Sequence, residues 1–421
     1  MRRWWQPKPW WMWGGGALLL TVGMLQTPLF LALASRLLPG GGLRVVLLGL
    51  AAGCAYVCAA GATRQARLGR PGLLAVFGLG IVLRVAMCQP SPVPGHGVDR
   101  YLWDGAVTAH RINPYAYAPR DVAKFKNARD ATPHLLVVLR AASGGIYSRI
   151  ERPWLQSWHP PLTQAIFAGT YLLRPWSPIA WRVVLALFDV ATLVLLVSLV
   201  RRLRFPPALL AVYWWNPLLI FETYSVGRLD ILPLPLVVGA LVLSLRGRTL
   251  YAALLLALAG GIRLWPIALL PLVLVPLRRQ PRALLVVLAA SLALLAVAWL
   301  PLLGHGLGEA SGLLRVLRDP QPHGGIHTLL LWLALTVGPA ANAATWARCL
   351  TALLLAVWVV LLARGTAEDA VLFCDRALLA VAGTFLLSPW PLPWLALGVT
   401  PLLVMAPRLS FLLLTPLLFL H

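Results

Sequence analysis

The sequence predicts an all-α polytopic membrane protein, and three observations predict it. Of its 421 residues 60% are hydrophobic, its mean hydropathy is +0.79, and only 12% are charged. Soluble domains are roughly 45–50% apolar and about a quarter charged. Apolar runs long enough for a bilayer recur along the whole chain. Arginines punctuate those runs instead of forming a stripe, as expected of loops between membrane spans.

Taken in order, apolar spans fall at about 17–38, 44–62, 71–88, 177–200, 206–224, 230–245, 249–260 with 264–277, 283–303, 343–363, 370–388 and 393–420. They suggest a bundle of about 11–13 transmembrane helices. The stretches 160–174 and 327–338 are shorter. Fifteen helical residues rise only about 22 Å, less than a hydrocarbon core of about 30 Å, so 160–174 reads as a half-span or a short packed helix. The N-terminus MRRWWQPKPWWMWGGG is basic, then aromatic, with no convincing cleavage site, so 17–38 reads as a retained first span. Trp4, Trp5, Trp10 and Trp11 suit an interfacial belt.

The formal net charge of +23 does not imply nucleic acid, because the basic residues sit at span ends. Some can meet anionic lipid phosphates. Arg2, Arg3 and Lys8 place the N-terminus in the cytoplasm, and Arg64, Arg67 and Arg70 return there after two spans. The third span then delivers residues 89–159 to the outer face. With 160–174 a half-span, the clusters Arg201–Arg202–Arg204, Arg246–Arg248 and Arg278–Arg279–Arg282 lie inside. Asp230, the turn at Arg263, the 304–326 loop and the Ser388-Pro389-Trp390 break then share the outer side with 89–159. Five cysteines, Cys54, Cys58, Cys88, Cys349 and Cys374, form no metal pair or disulfide framework.

Water-facing chemistry in such a chain must concentrate in the outer loop. Residues 89–159 hold Asp99, Asp104, Asp121, Asp130 and Glu151, five of the thirteen acids. Asp99 and Asp104, in VDRYLWD, project about 140° apart on a helix, so one can act while the other caps or orients. A carboxylate here can serve as general base for a hydroxyl or bind a divalent cation, Mg or Mn. Asn113-Pro114 ends that helix, since the residue before proline leaves the α region. Tyr101, Trp103, Tyr115 and Tyr117 could stack on a sugar ring or seat the loop among headgroups. His159, in WHPPL, sits at the start of the next apolar stretch, where it could orient a phosphate.

Charged groups at membrane depth are expensive and point to function by default. Arg84, Arg182 and Arg263 are such groups, as are Asp189, Glu222 and Asp230. Arg263 stands out because Gly260, Gly261 and Pro266 break the helix around it, and a broken helix at depth lines a cavity. Its guanidinium could clamp a phosphate; the competing reading is a structural pair with Asp189, Glu222 or Asp375. His305, His323 and His327 show no metal spacing, so no structural metal site is expected, and no phosphate-binding loop or serine nucleophile elbow occurs.

In order, V-D-x-x-x-x-x-D with N-P-Y, then W-x-P-P-L, NPLLIFE with GRLD, GIRLWP and LLSPWPLPW resemble the integral-membrane GT-C glycosyltransferases. The likeness is greatest to the polyprenol-phosphate-mannose-dependent mannosyltransferases and the related bacterial family 87 enzymes, over about 71–400. It divides the chain into two N-terminal helices (1–70), a GT-C-like catalytic module (71–303) and a C-terminal loop with helices (304–421). It implies a polyprenyl-phosphate sugar donor (mannose or a similar hexose or pentose), a lipid or glycan acceptor and inverting transfer. The place would be the outer, periplasmic face of a bacterial cytoplasmic (inner) membrane. Asp99 would be the base, with Asp104 beside it. Arg263, helped by Arg182, Arg84 and His159, would bind donor phosphate. Tyr101, Trp103, Tyr115, Asp230 and Trp390 would meet sugar or acceptor. Many relatives carry His two residues before the acid that matches Asp230; here that residue is Arg228. A transporter or flippase of lipid-linked sugars is the competing expectation. It would show an inverted repeat, which the sequence lacks. An accessory subunit without chemistry is the third.

Overall fold

The computed structural model describes residues 41–63, 66, 68–88, 97–125, 130–306, 311–318, 325–337, 340–364, 369–388 and 393–420. Among these residues there is no strand, and twelve α-helices reach twelve residues or more. They are α1 (Gly41–Thr63), α2 (Arg70–Met87), α3 (Val98–Ala109), α4 (Ala131–Ala142), α5 (Pro161–Leu173) and α6 (Pro178–Arg202). Then follow α7 (Leu234–Leu245), α8 (Thr249–Gly260), α9 (Pro281–Gly306), α10 (Gly325–Val337), α11 (Ala340–Arg364) and α12 (Ala370–Leu386). The protein is an all-α polytopic membrane protein, as its composition requires. The expected span at 17–38, and Trp390, lie outside the described residues.

Five of the described helices are long and apolar enough to cross a bilayer: 46–63, α2, α6, 281–303 of α9 and 342–364 of α11. Their outward side chains are largely bare hydrocarbon. Leu74, Leu187, Leu285 and Leu353 are all exposed, which suits lipid and not water. Two expected spans are not continuous helices. Residues 206–224 break into a 3-10 turn at Pro207–Leu210, short helices at Ala211–Trp214 and Pro217–Ile220, and a π-helical turn at Phe221–Val226. Residues 393–420 divide likewise into short turns. Proline is the cause: Pro206, Pro207 and Pro217 interrupt the first stretch, and Pro401, Pro407 and Pro416 the second. Residues 208–224 and 396–406 within them are largely buried, and irregular backbone at membrane depth is tolerated where protein covers it.

The stretch 160–174 forms a short helix, α5, of 13 residues. It packs along α3 at close range, because a Cβ on Gly105 would stand 2.5 Å from the Phe167 carbonyl oxygen. At one end of the bundle, Arg202 at the close of α6 donates to the Leu245 carbonyl at the close of α7 (2.6 Å). The chain then turns through Arg246 and Arg248 into α8. At the opposite end of α8, the turn at Arg263 meets α5: Thr163 donates to the Ile262 carbonyl at 3.3 Å. The basic clusters and Arg263 therefore occupy opposite ends of the helices.

Arg84, an expected phosphate ligand, sits in the buried core. It is buried, with Nε 2.6 Å from Asp189 Oδ2, and it donates to the carbonyls of Gly80 and Trp214. Tyr213 and Tyr224 each donate to Asp189 at 2.7 Å, and the guanidinium lies 3.4 Å from the Trp214 ring centroid. The pairing with Asp189, one alternative for Arg263, is thus made by Arg84. Breaking a buried pair by removing one partner costs about 3–5 kcal/mol. Asp189→Ala should therefore lower the thermal unfolding midpoint in detergent sharply; an unchanged midpoint would contradict the assignment.

Candidate active site

The chain break after α8 builds the site. Gly260 and Gly261 end the helix, and a 3-10 turn at Trp265–Leu269 carries the chain away. Arg263 projects from the gap. Its Nη2 lies 2.9 and 3.0 Å from the two carboxylate oxygens of Asp230. Trp299 of α9 donates to the Gly260 carbonyl at 3.0 Å, which pins the turn from the other side.

Asp230 arrives on a second irregular segment. Gly227 ends the π-helical turn with φ +82°, a left-handed conformation that favours glycine. A Cβ there would also approach Val98 to 2.6 Å. Trp181 of α6 donates to the Gly227 carbonyl at 2.8 Å. The start of α3 thus rests directly on the turn that carries Arg228 and Asp230.

The Tyr101 hydroxyl completes the cluster. It lies against the Arg228 guanidinium and within the field of Arg263 and Asp230. Burial raises its pKa above the ordinary phenol value, more than the two arginines lower it, so it stays a hydroxyl. Its ring stacks on Phe167 (4.9 Å) and meets His159 edge-on (5.4 Å). His159 is buried, and burial, then Arg263 and Arg100, hold its pKa well below the usual imidazole value. Arg228 lies 3.8 Å from the Trp394 ring centroid, with its Nε 4.0 Å from Glu222 Oε2. Arg228, Trp394 and Glu222 are the residues that the outer-loop motifs did not single out. The signal for Trp394 was the second tryptophan of PWPLPW.

Several buried polar atoms of this cluster have no hydrogen-bond partner: Nε of Arg228 and Arg263, Nε2 of His159, Oε2 of Glu222 and the hydroxyl of Thr223. Unpaired groups of this kind cost stability and ask for an explanation. Donors cluster with acceptors here, around two guanidinium groups. The arrangement suits an anion that also carries hydroxyl groups.

A sequence profile of glycosyltransferase family 87 matches residues 158–389, more than half of the chain. The chain belongs to glycosyltransferase family 87. It is a membrane glycosyltransferase, which makes a sugar donor and an acceptor its substrates. The matched segment runs from beside His159 past Arg263 and takes in Arg182, Glu222, Arg228 and Asp230. No curated protein and no solved structure matches the chain.

The other expected residues of this family 87 chain have partners of their own. Asp99, in the first turn of α3, pairs through both oxygens with Arg149, at 3.0 and 3.1 Å. Asp104 is buried: Arg100 donates to it at 2.8 Å and Ser157 at 2.6 Å, so it ties α3 to the loop before α5. Tyr115 donates to the His159 carbonyl at 2.8 Å and so supports the histidine from behind. Trp103 packs against Tyr147 and Trp176 in a separate small core, away from the cluster. Arg182 donates to the Tyr224 carbonyl at 2.8 Å, bracing the π-helical turn. Among the described residues no three His, Cys, Asp or Glu side chains group as metal ligands.

A histidine that folding holds neutral makes stability depend on pH. Below about 6.5 the unfolded chain takes up a proton that folded His159 refuses, so the folded state loses ground as pH falls. His159→Gln should flatten part of that loss. Thermal midpoints from pH 7.5 down to 5 measure it, and identical slopes in both proteins would refute it.

Proposed function

We propose that this family 87 enzyme transfers a sugar, mannose or a similar hexose or pentose, from a polyprenyl-phosphate carrier to an acceptor hydroxyl. The reading places it in a bacterial cytoplasmic membrane with the site on the outer face, and the acceptor is a lipid or glycan. One observation carries it: the buried, unpartnered Nε donors of Arg228 and Arg263 and ring nitrogen of His159 beside the unpartnered acceptor of Glu222. A glycosyl phosphate supplies what both sets lack, an anion and hydroxyl groups.

In the proposed step Asp99 accepts the proton of the acceptor hydroxyl as its oxygen attacks the anomeric carbon. The bond from that carbon to the phosphate oxygen breaks, and its electron pair leaves with the polyprenyl phosphate. Attack opposite the leaving group inverts the configuration. Arg263 and Arg228 stabilise the negative charge on the departing phosphate, where fixed donors in a dry site act most strongly. Asp230 holds Arg263 in place by its two contacts, and Tyr101 holds Arg228. Trp394, stacked on Arg228, would flank the sugar.

The competing transporter reading needs no base. Purified protein incubated with labelled polyprenyl-phosphate sugars and envelope extract separates the two. Asp99→Asn and Arg263→Gln should each reduce transfer by about 100-fold or more with normal protein level, the usual scale for removing a base or a charge-stabilising donor. Arg263→Lys, which keeps the charge without the fork, should retain more. Full transfer by Asp99→Asn would overturn the assignment.

A further inference from the structure

The pair between Asp99 and Arg149 has the geometry of a built support. Nε and Nη2 of Arg149 address separate carboxylate oxygens, at 3.0 and 3.1 Å. This is the planar two-point match that guanidinium makes and ammonium does not. The two residues are 50 apart in the chain. A dedicated turn brings them together. After α4, Gly144 and Gly145 adopt left-handed φ of +56° and +90°, which reverses the chain before the 3-10 turn at Tyr147–Arg149.

That turn is anchored on three sides. The Tyr147 hydroxyl donates to the Pro119 carbonyl at 2.6 Å, its ring meets Trp103 at 5.1 Å, and Arg140 lies 4.7 Å from the same ring. Ile146, one residue before, is buried in the main core. Arg149 itself is more than half exposed, whereas the Asp99 carboxylate is mostly covered. Other charged groups of the elements around α3 are engaged elsewhere. Arg100 binds Asp104, Arg182 binds a backbone carbonyl, and Arg228 and Arg263 face Tyr101 and Asp230.

We propose that Arg149 is a positioning residue for transfer: its guanidinium fork fixes the plane of the Asp99 carboxylate at the start of α3, so that the lone pairs it leaves free face the acceptor hydroxyl. A carboxylate offers about four lone-pair directions, and the fork occupies two of them. The remaining two lie in the same fixed plane. Without the fork the side chain turns freely among its rotamers, and misplacement of a reacting group by about 1 Å costs on the order of 100-fold in rate. The inference rests on the reading of Asp99 as the base.

The test measures transfer from radiolabelled polyprenyl-phosphate mannose to envelope extract by the purified full-length protein. Arg149→Ala should lower kcat by about 10- to 100-fold while KM for the donor stays unchanged, because the phosphate site is intact. Added guanidinium ion should restore part of kcat, and Arg149→Lys should fall between the two. In an Asp99→Asn background, Arg149→Ala should cause no further loss. If Asp99→Asn is inactive while Arg149→Ala keeps wild-type kcat, the positioning role fails and the base survives. If Asp99→Asn transfers normally, the base reading fails and this inference with it. Should Arg149→Ala not fold, Arg149→Gln with and without guanidinium makes the same distinction; loss without rescue or a KM change would mark Arg149 as merely structural.

Discussion

The contact between Arg263 and Asp230 is the constraint on which the rest of the site depends. Each stands on a segment that is not regular helix, one after the glycine break of α8 and the other after left-handed Gly227. Both segments lie inside a bundle where uncovered polar backbone would be costly. The fold accepts the irregularity because packing covers it. Thr163 and Trp299 bond the carbonyls of the first break, and Trp181 bonds the second. Two polar side chains, held by interrupted helices, meet at one end of the membrane-spanning bundle. Tyr101, His159, Arg228 and Glu222 gather around that meeting point.

The buried carboxylates divide into two kinds by how fully their oxygens are engaged. Asp189 takes hydrogen bonds from Arg84, Tyr213 and Tyr224, so both of its oxygens are engaged. Asp104 is similarly engaged by Arg100 and Ser157. Glu222 Oε2, by contrast, has no hydrogen-bond partner, and it lies beside unpartnered nitrogens of Arg228, Arg263 and His159. Hydropathy treats all these residues alike as expensive intruders. Only the three-dimensional count of donors and acceptors tells a rivet from a binding site.

Much of this was legible in the chain. Long Leu- and Val-rich runs foretold α2, α6, α9 and α11, because spacing and length suffice for a lipid-facing helix. The glycines and proline around Arg263 foretold the break that displays it. Other features were hidden for physical reasons. Residues 206–224 are apolar enough to suggest a span, yet three prolines break their hydrogen-bond ladder, and hydropathy is blind to that. Asp99 and Arg149 are far apart in sequence, so their pairing depends on two glycines with no hydrophobic signature. Arg228 registered as a departure from relatives, but its place over Trp394 required coordinates. Trp103 carried an aromatic signal equally suited to sugar or to core, and the core took it.

The central claim is that the unpaired guanidinium donors, with the His159 ring beside them, await a lipid-borne phosphate. The most direct test compares the thermal unfolding midpoint of the purified protein with polyprenyl phosphate and with the uncharged polyprenol of equal length. A ligand that binds the folded state at a hundred times its Kd stabilises by about 2.7 kcal/mol. The account predicts a clear rise with the phosphate, little with the alcohol, and loss of the difference in Arg263→Gln. Equal shifts from both lipids, or a difference that survives the substitution, would contradict it.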